Sequence, residues 1–215
     1  MRKKMKSTRL VSAILVVSIL TGCQFRVNRS IHIPDGETVR RGPTAINGSI
    51  HVGSNCRISG NCRAVNGSIH VGSDSKVRSL QSVNGGIRLD SAVDVYGNVE
   101  SVNGNVETGP DTRIKGHTKS VNGRIHMQKT EVEGNLSTYN GHITLADESR
   151  IRGDIIIKEN RGRSRRNSPL LIEIADRSVV EGNIIVRNED IRVQVILTGG
   201  GKVLGRVRNA EIIQR

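Results

Sequence analysis

The sequence predicts an all-β fold, a single-stranded parallel β-helix (a solenoid) with about 18–19 residues per coil. Two spaced phrases and one alternation carry the prediction. INGSIHV at Ile46 returns as VNGSIHV at Val65, VNGGIRL at Val83, VNGNVET at Val102, VNGRIHM at Val121 and YNGHITL at Tyr139. Its asparagines, Asn47, Asn66, Asn84, Asn103, Asn122 and Asn140, are spaced 19, 18, 19, 19 and 18 residues apart. A second phrase keeps step: ISGNC at Ile58, VYGNV at Val95, IKGHT at Ile114, VEGNL at Val132 and IRGDI at Ile151. Two markers sharing one period are the signature of a stacked repeat. Within a unit, Ile69 and Val71 lie to one side, Ser68 and His70 to the other. Alternation of this kind means strand, and Val and Ile are strand formers. Asn-Gly and x-Gly-Asn are turn chemistry. Each unit therefore holds short strands between sharp corners, and stacked units pair in parallel about 4.8 Å apart.

Composition fits a narrow interior. Hydrophobic residues make up 35% of the chain and aromatics 1%, with no Trp. Val, Ile and Leu must fill the core. Three inward columns are expected. One runs Ile46, Val65, Val83, Val102, Val121, Tyr139; a second runs Ile50, Ile69, Ile87, Val106, Ile125, Ile143; a third runs Val95, Ile114, Val132, Ile151. The six asparagines should stack at a corner and bond coil to coil. The glycine after each lets the backbone turn tightly.

The N-terminus is set apart from the fold. MRKKMKSTR carries five basic residues and no acid, and LVSAILVVSIL follows it. That apolar run is about half of the roughly 20 residues that span a bilayer. LTGC, Leu20 to Cys23, resembles the lipobox of bacterial lipoproteins. The resemblance implies that residues 1–22 are removed as a signal peptide and that Cys23 is acylated on its thiol and its new amine. Gln24, where Asp would retain the protein at the inner membrane, implies an outer-membrane location by the same resemblance. Several acyl chains anchor stably where one does not. Residues 23–42 are expected to form a lipidated tether and an N-terminal cap, and residues 43–215 the solenoid. Caps prevent edge-to-edge growth; a solenoid without them would associate end to end.

After residue 157 the period breaks. KENRGRSRRNSP interrupts it, and LLIEI, NIIV and VQVIL resume strand-like patterning. Residues 160–169 read as a basic loop extruded from the stack. Its Arg161, Arg163, Arg165 and Arg166 are candidates for contact with a polyanion.

The whole chain carries a formal net charge of +13. Without residues 1–22, 33 − 5 = 28 basic residues face 20 acidic ones, leaving +8. Outside the cytoplasm this favours acidic polysaccharide, lipopolysaccharide or anionic headgroups as partners, and no nucleic acid. Cys56 and Cys62 straddle Gly60, and both fall at inward positions. An exported protein permits a disulfide between them; the alternative is two small core residues. His51 and His70 share an outward position on adjacent coils, with no third ligand placed beside them, so no metal site is expected. LTGGGKV lacks the Ser or Thr of a phosphate loop and reads as a turn. Asp74, Asp111, Asp147 and Asp154 are scattered, without the aromatic platforms of carbohydrate-active β-helices. No cofactor is expected.

The VNGxI units, over residues 44–157, resemble bacterial putative adhesin β-helix domains and bactofilins, which are polymer-forming cytoskeletal β-helices. The resemblance implies right-handed winding, in keeping with the general crossover preference. The left-handed hexapeptide form is the alternative: Val65, Val71, Val77, Val83, Leu89 and Val95 partly follow it, but the frame then slips. Bactofilins are typically cytoplasmic, and an export signal departs from them. The expectation is a non-enzymatic, lipid-anchored cell-envelope protein with a scaffold or adhesin-like role. A binding module for acidic polysaccharide is the alternative, and a β-helix enzyme the third reading.

Overall fold

The computed structural model describes residues 25–159, 168–188 and 190–215. Their strands form three parallel sheets of ten, ten and nine strands, and no helix occurs among the described residues. Sheet neighbours are strands one coil apart, so the chain is a three-faced β-solenoid of about nine coils. The first face begins at Phe25–Val27 and Thr44–Ile46 and ends at Val207–Arg208. The second runs from Ile31–Ile33 to Glu211–Gln214. The third runs from Thr38–Val39 to Lys202–Val203.

Register holds along the whole stack. On the second face Ile50 sits over Ile69, then Ile87, Val106, Ile125, Ile143, Ile172 and Val195. On the third, Val95, Ile114, Val132 and Ile151 follow one another. Both columns are fully buried. In-register stacking forces this repetition, because each inward side chain packs on its counterparts above and below.

The expected first-face column is corrected. Ile46, Val65, Val121 and Tyr139 are only partly buried, and Val83 and Val102 are exposed. The inward residue lies one position earlier: Ala45, Ala64, Ser82, Ser101, Ser120 and Thr138 are buried. The strand Cys62–Val65 shows why. Its inward residues are Cys62 and Ala64, so alternation leaves Val65 outside. The serines are inside because the corner needs them. Ser82, Ser101 and Ser120 donate to the carbonyl oxygens of Gly67, Gly85 and Gly104 at 2.8, 3.0 and 3.1 Å. Buried hydroxyls are tolerated where they satisfy such groups.

Residues 25–42 are likewise corrected. They wind as a complete coil, pairing on all three faces with the next, and do not form a separate cap. The glycines of the Asn-Gly corner stack directly. A Cβ on Gly104 would lie 2.2 Å from the Gly85 carbonyl oxygen, so only glycine lets successive corners approach at the strand spacing. The interruption after residue 157 leaves the register intact. Ile143 pairs with Ile172 and Ile155 with Ile184, each 29 residues on. The added length falls in sequence between the first-face strand Ile155–Ile157 and the second-face strand Leu170–Ile174, where earlier coils place Asn-Gly.

Candidate functional site

Outward columns are where a solenoid of this kind can carry chemistry, since its interior is packed. The asparagine column is continuous. Each side-chain amide donates to the Oδ1 below: Asn47 to Asn28 at 2.9 Å, Asn66 to Asn47 at 2.7 Å, Asn84 to Asn66 at 2.6 Å. Asn103, Asn122 and Asn140 extend the chain at 2.7, 2.8 and 2.8 Å. The ladder faces solvent, so it fastens coils without a burial penalty.

A second polar ladder was not foreseen. At the corner between the third and first faces, each side chain accepts from the backbone N–H one coil further on. Asn98 serves His117, His117 serves Asn135, Asn135 serves Asp154, and Asp154 serves Asn183. Its signal was the residue after each glycine in the x-Gly-Asn phrase, read only as turn chemistry.

On the second face, His51 and His70 do share one outward column, and His32 joins them from the first coil. Successive ring centroids stand 6.5 and 6.3 Å apart. His70 Nε2 meets Asp90 Oδ2 at 2.9 Å. IHI at residues 31–33 matches the IHV of the next two coils, and that match is the sequence signal for His32. Among the described residues, no three His, Cys, Asp or Glu side chains are placed to hold a metal ion. Further along the same face a shallow groove of about 550 Å³ is lined by Arg88, Asp90, Glu107, Pro110, His126 and Gln128. Arg88 and Glu107, register partners on neighbouring strands of its lining, pair at 3.7 Å. Its lining is polar and mixed in charge.

Cys56 and Cys62 are free thiols, which corrects the expected disulfide. Both point inward, but on different faces. Cys56 continues a column of small polar residues: its N–H donates to Ser75 Oγ at 3.0 Å and its thiol lies 3.0 Å from the Pro34 oxygen. Cys62 stacks on Leu80 at the start of the first face. Each thiol is occupied by its own column. Burial raises both pKa values, that of Cys62 to about 12.

Charge is unevenly distributed. Residues 25–80 hold eight basic and three acidic residues; residues 81–157 hold eight basic and ten acidic. The ion pairs of the arginines follow that division, while Lys76 of the first group reaches Asp94 of the second at 3.6 Å. Arg88–Glu107, Arg113–Glu131, Lys129–Asp111 and Arg150–Glu181 link later coils. Arg152 pairs with Glu131, and Arg177 with Glu148. Arg26, Arg29, Arg40, Arg41, Arg57 and Arg78 make no ion pair among the described residues. Cys23 and Arg161, Arg163, Arg165 and Arg166 lie outside the described residues.

The chain matches no family model, no curated protein and no solved structure. Its fold places it in the class of parallel β-solenoid repeat proteins.

Proposed function

We propose that this is a lipid-anchored protein of the cell envelope, placed at the outer membrane, whose β-solenoid acts as a rigid, non-enzymatic scaffold or adhesin-like rod. One observation supports the rod above all: unbroken register on three faces from the first described coil to the last. Nine steps of about 4.8 Å give a body roughly 43 Å long. The anchor is supported by the sequence, through the basic segment, the apolar run and LTGC at Cys23. Palmitate-analogue labelling tests it: label is expected on the wild type and absent from Cys23→Ala. Equal labelling of both rejects the anchor.

End-to-end self-association belongs to the same proposal. The last coil leaves Leu204 67% and Ile212 51% exposed, and the sheets end there on unpaired strands. Sedimentation of the full chain in detergent should show concentration-dependent oligomers that Ile212→Lys dissolves; a monomer at all concentrations removes this part. A second reading, binding of an acidic polysaccharide or lipopolysaccharide, is favoured by the basic run RGRSRR in the sequence, inserted where earlier coils place Asn-Gly. Salt-sensitive binding to such a polymer, lost when Arg161, Arg163, Arg165 and Arg166 are changed to Gln, would support it.

A further inference from the structure

We infer that the first three coils form a basic collar that docks on anionic phospholipid headgroups; the inference rests on the lipid anchor at Cys23. The start of the solenoid sets the distance. The first described strand opens at Phe25, two residues after Cys23. Two residues span at most about 7 Å. An acylated Cys23 therefore has no tether, and the first coil sits at headgroup level. With the solenoid axis upright on the membrane, successive coils climb about 4.8 Å, so the third lies about 10 Å up, close to the Debye length at physiological salt. Charges on these coils feel an anionic surface, and those on later coils are screened from it.

The charge pattern changes at that height. On the third face one outward column runs Arg57, Lys76, then Asp94, Arg113, Glu131 and Arg150. It is cationic in the lower coils and alternates in sign above them. The adjacent column carries Arg40 and Arg78 below, and Lys115, Glu133 and Arg152 above. A surface built only for solubility would alternate throughout, as the later coils do, because rung-to-rung opposite charges offset repulsion. Arg40, Arg41 and Arg78 gather at the edge between the third and first faces, and Arg57 stands on the third face beside them, all exposed and all without an ion-pair partner among the described residues. Seven of the eight cations in residues 25–80 are arginine. The guanidinium fork suits phosphate oxygens bidentately, which a lysine does not.

The test uses the full chain reconstituted into vesicles of phosphatidylcholine with or without phosphatidylglycerol, with nitroxide-labelled headgroups. Fluorophores are placed at Ser59→Cys, between Arg40 and Arg78, and at Gln214→Cys at the far end; Cys56 and Cys62 are buried and stay unlabelled. The anchor alone gives the residue-59 probe a basal quenching in both vesicles; stronger quenching is expected with phosphatidylglycerol, and the excess should vanish at high salt. The residue-214 probe should stay bright in both. Changing Arg40, Arg41, Arg57 and Arg78 to Gln should lower the docked-to-undocked ratio by about fivefold per charge, with acylation and the circular-dichroism spectrum unchanged. No excess quenching with phosphatidylglycerol, or an excess undiminished in the Gln variant, overturns the collar. Protection of the residue-59 probe by a soluble acidic polysaccharide, with no response to phosphatidylglycerol, overturns it in favour of a polymer partner. Loss of palmitate labelling with phosphatidylglycerol-dependent quenching retained would remove the anchor and leave the collar standing.

Discussion

The coils of residues 25–80 and those of residues 81–157 share one backbone and carry opposite surface strategies. Both stack glycine on glycine at the Asn-Gly corner, both run the same asparagine ladder, and both bury Ile on the second face. Outside, the first group leaves its arginines unpaired, and the second ties cations to acids from coil to coil. The repeat constrains inward and corner positions alone. Outward positions are free of it, and that freedom is where function can be written.

The largest test of the shared backbone is at the corners. Gly67→Val and Gly104→Val should each cost at least about 3 kcal/mol in urea denaturation, because no rearrangement local to one coil clears a backbone atom. The added Cβ would meet the carbonyl oxygen of the coil below at 2.0 and 2.2 Å respectively. Unequal losses would break the claim that the two groups are one scaffold.

Cys62 supplies a pH test specific to the first group. Its thiol stays protonated in the fold to about pH 12 from an ordinary value of 9.0, because burial disfavours the thiolate. The unfolded chain releases that proton earlier, so the stabilisation is complete below pH 9 and is lost as pH rises toward 12. The slope is about 1.4 kcal/mol per pH unit. Stability curves of wild type and Cys62→Ala, measured from pH 8 to 11, should converge as pH rises; parallel curves would show that the thiol is not buried.

Thr118 is the second group's counterpart, in the same inward column. Its buried hydroxyl has no hydrogen-bond partner. Thr118→Val should raise stability by about 1 kcal/mol, where Ser101→Val, which breaks a corner bond, should lower it. Asn66→Ala and Asn103→Ala should cost about 0.5–1.5 kcal/mol each. The exposure of the ladder keeps the loss small, and it should be alike in both groups. The smallest effect separates them. Arg88→Ala should destabilise by roughly 0.2–1 kcal/mol at low salt, and Arg57→Ala should be neutral or slightly stabilising. A loss at Arg57 equal to that at Arg88 would mean the lower arginines have folding partners after all.

Much of this was legible before the fold. The period, the strands, the asparagine contacts and two of the three core columns follow from spacing and alternation. The disulfide expectation failed because two inward cysteines near one corner need not share a face. The valines before each Asn-Gly lie outside because alternation along the strand is set by its inward residues, such as Cys62 and Ala64, and not by the corner. Polar residues at inward positions, such as Ser82 and Ser120, hid the true column from a hydropathy reading.

The sequence by itself determined that identical residues recur every 18–19 positions, and so that they must lie above one another. Only the tertiary structure decided which side of each strand faces the core at the Asn-Gly corner, that residues 25–42 already wind as a coil, and that unpaired arginines collect on the lower coils. The physical reason is common to all three. A repeat fixes what stacks on what, but burial and neighbouring charge depend on where each chain segment turns, and the turn is settled by backbone contacts between coils 18 or 19 residues apart.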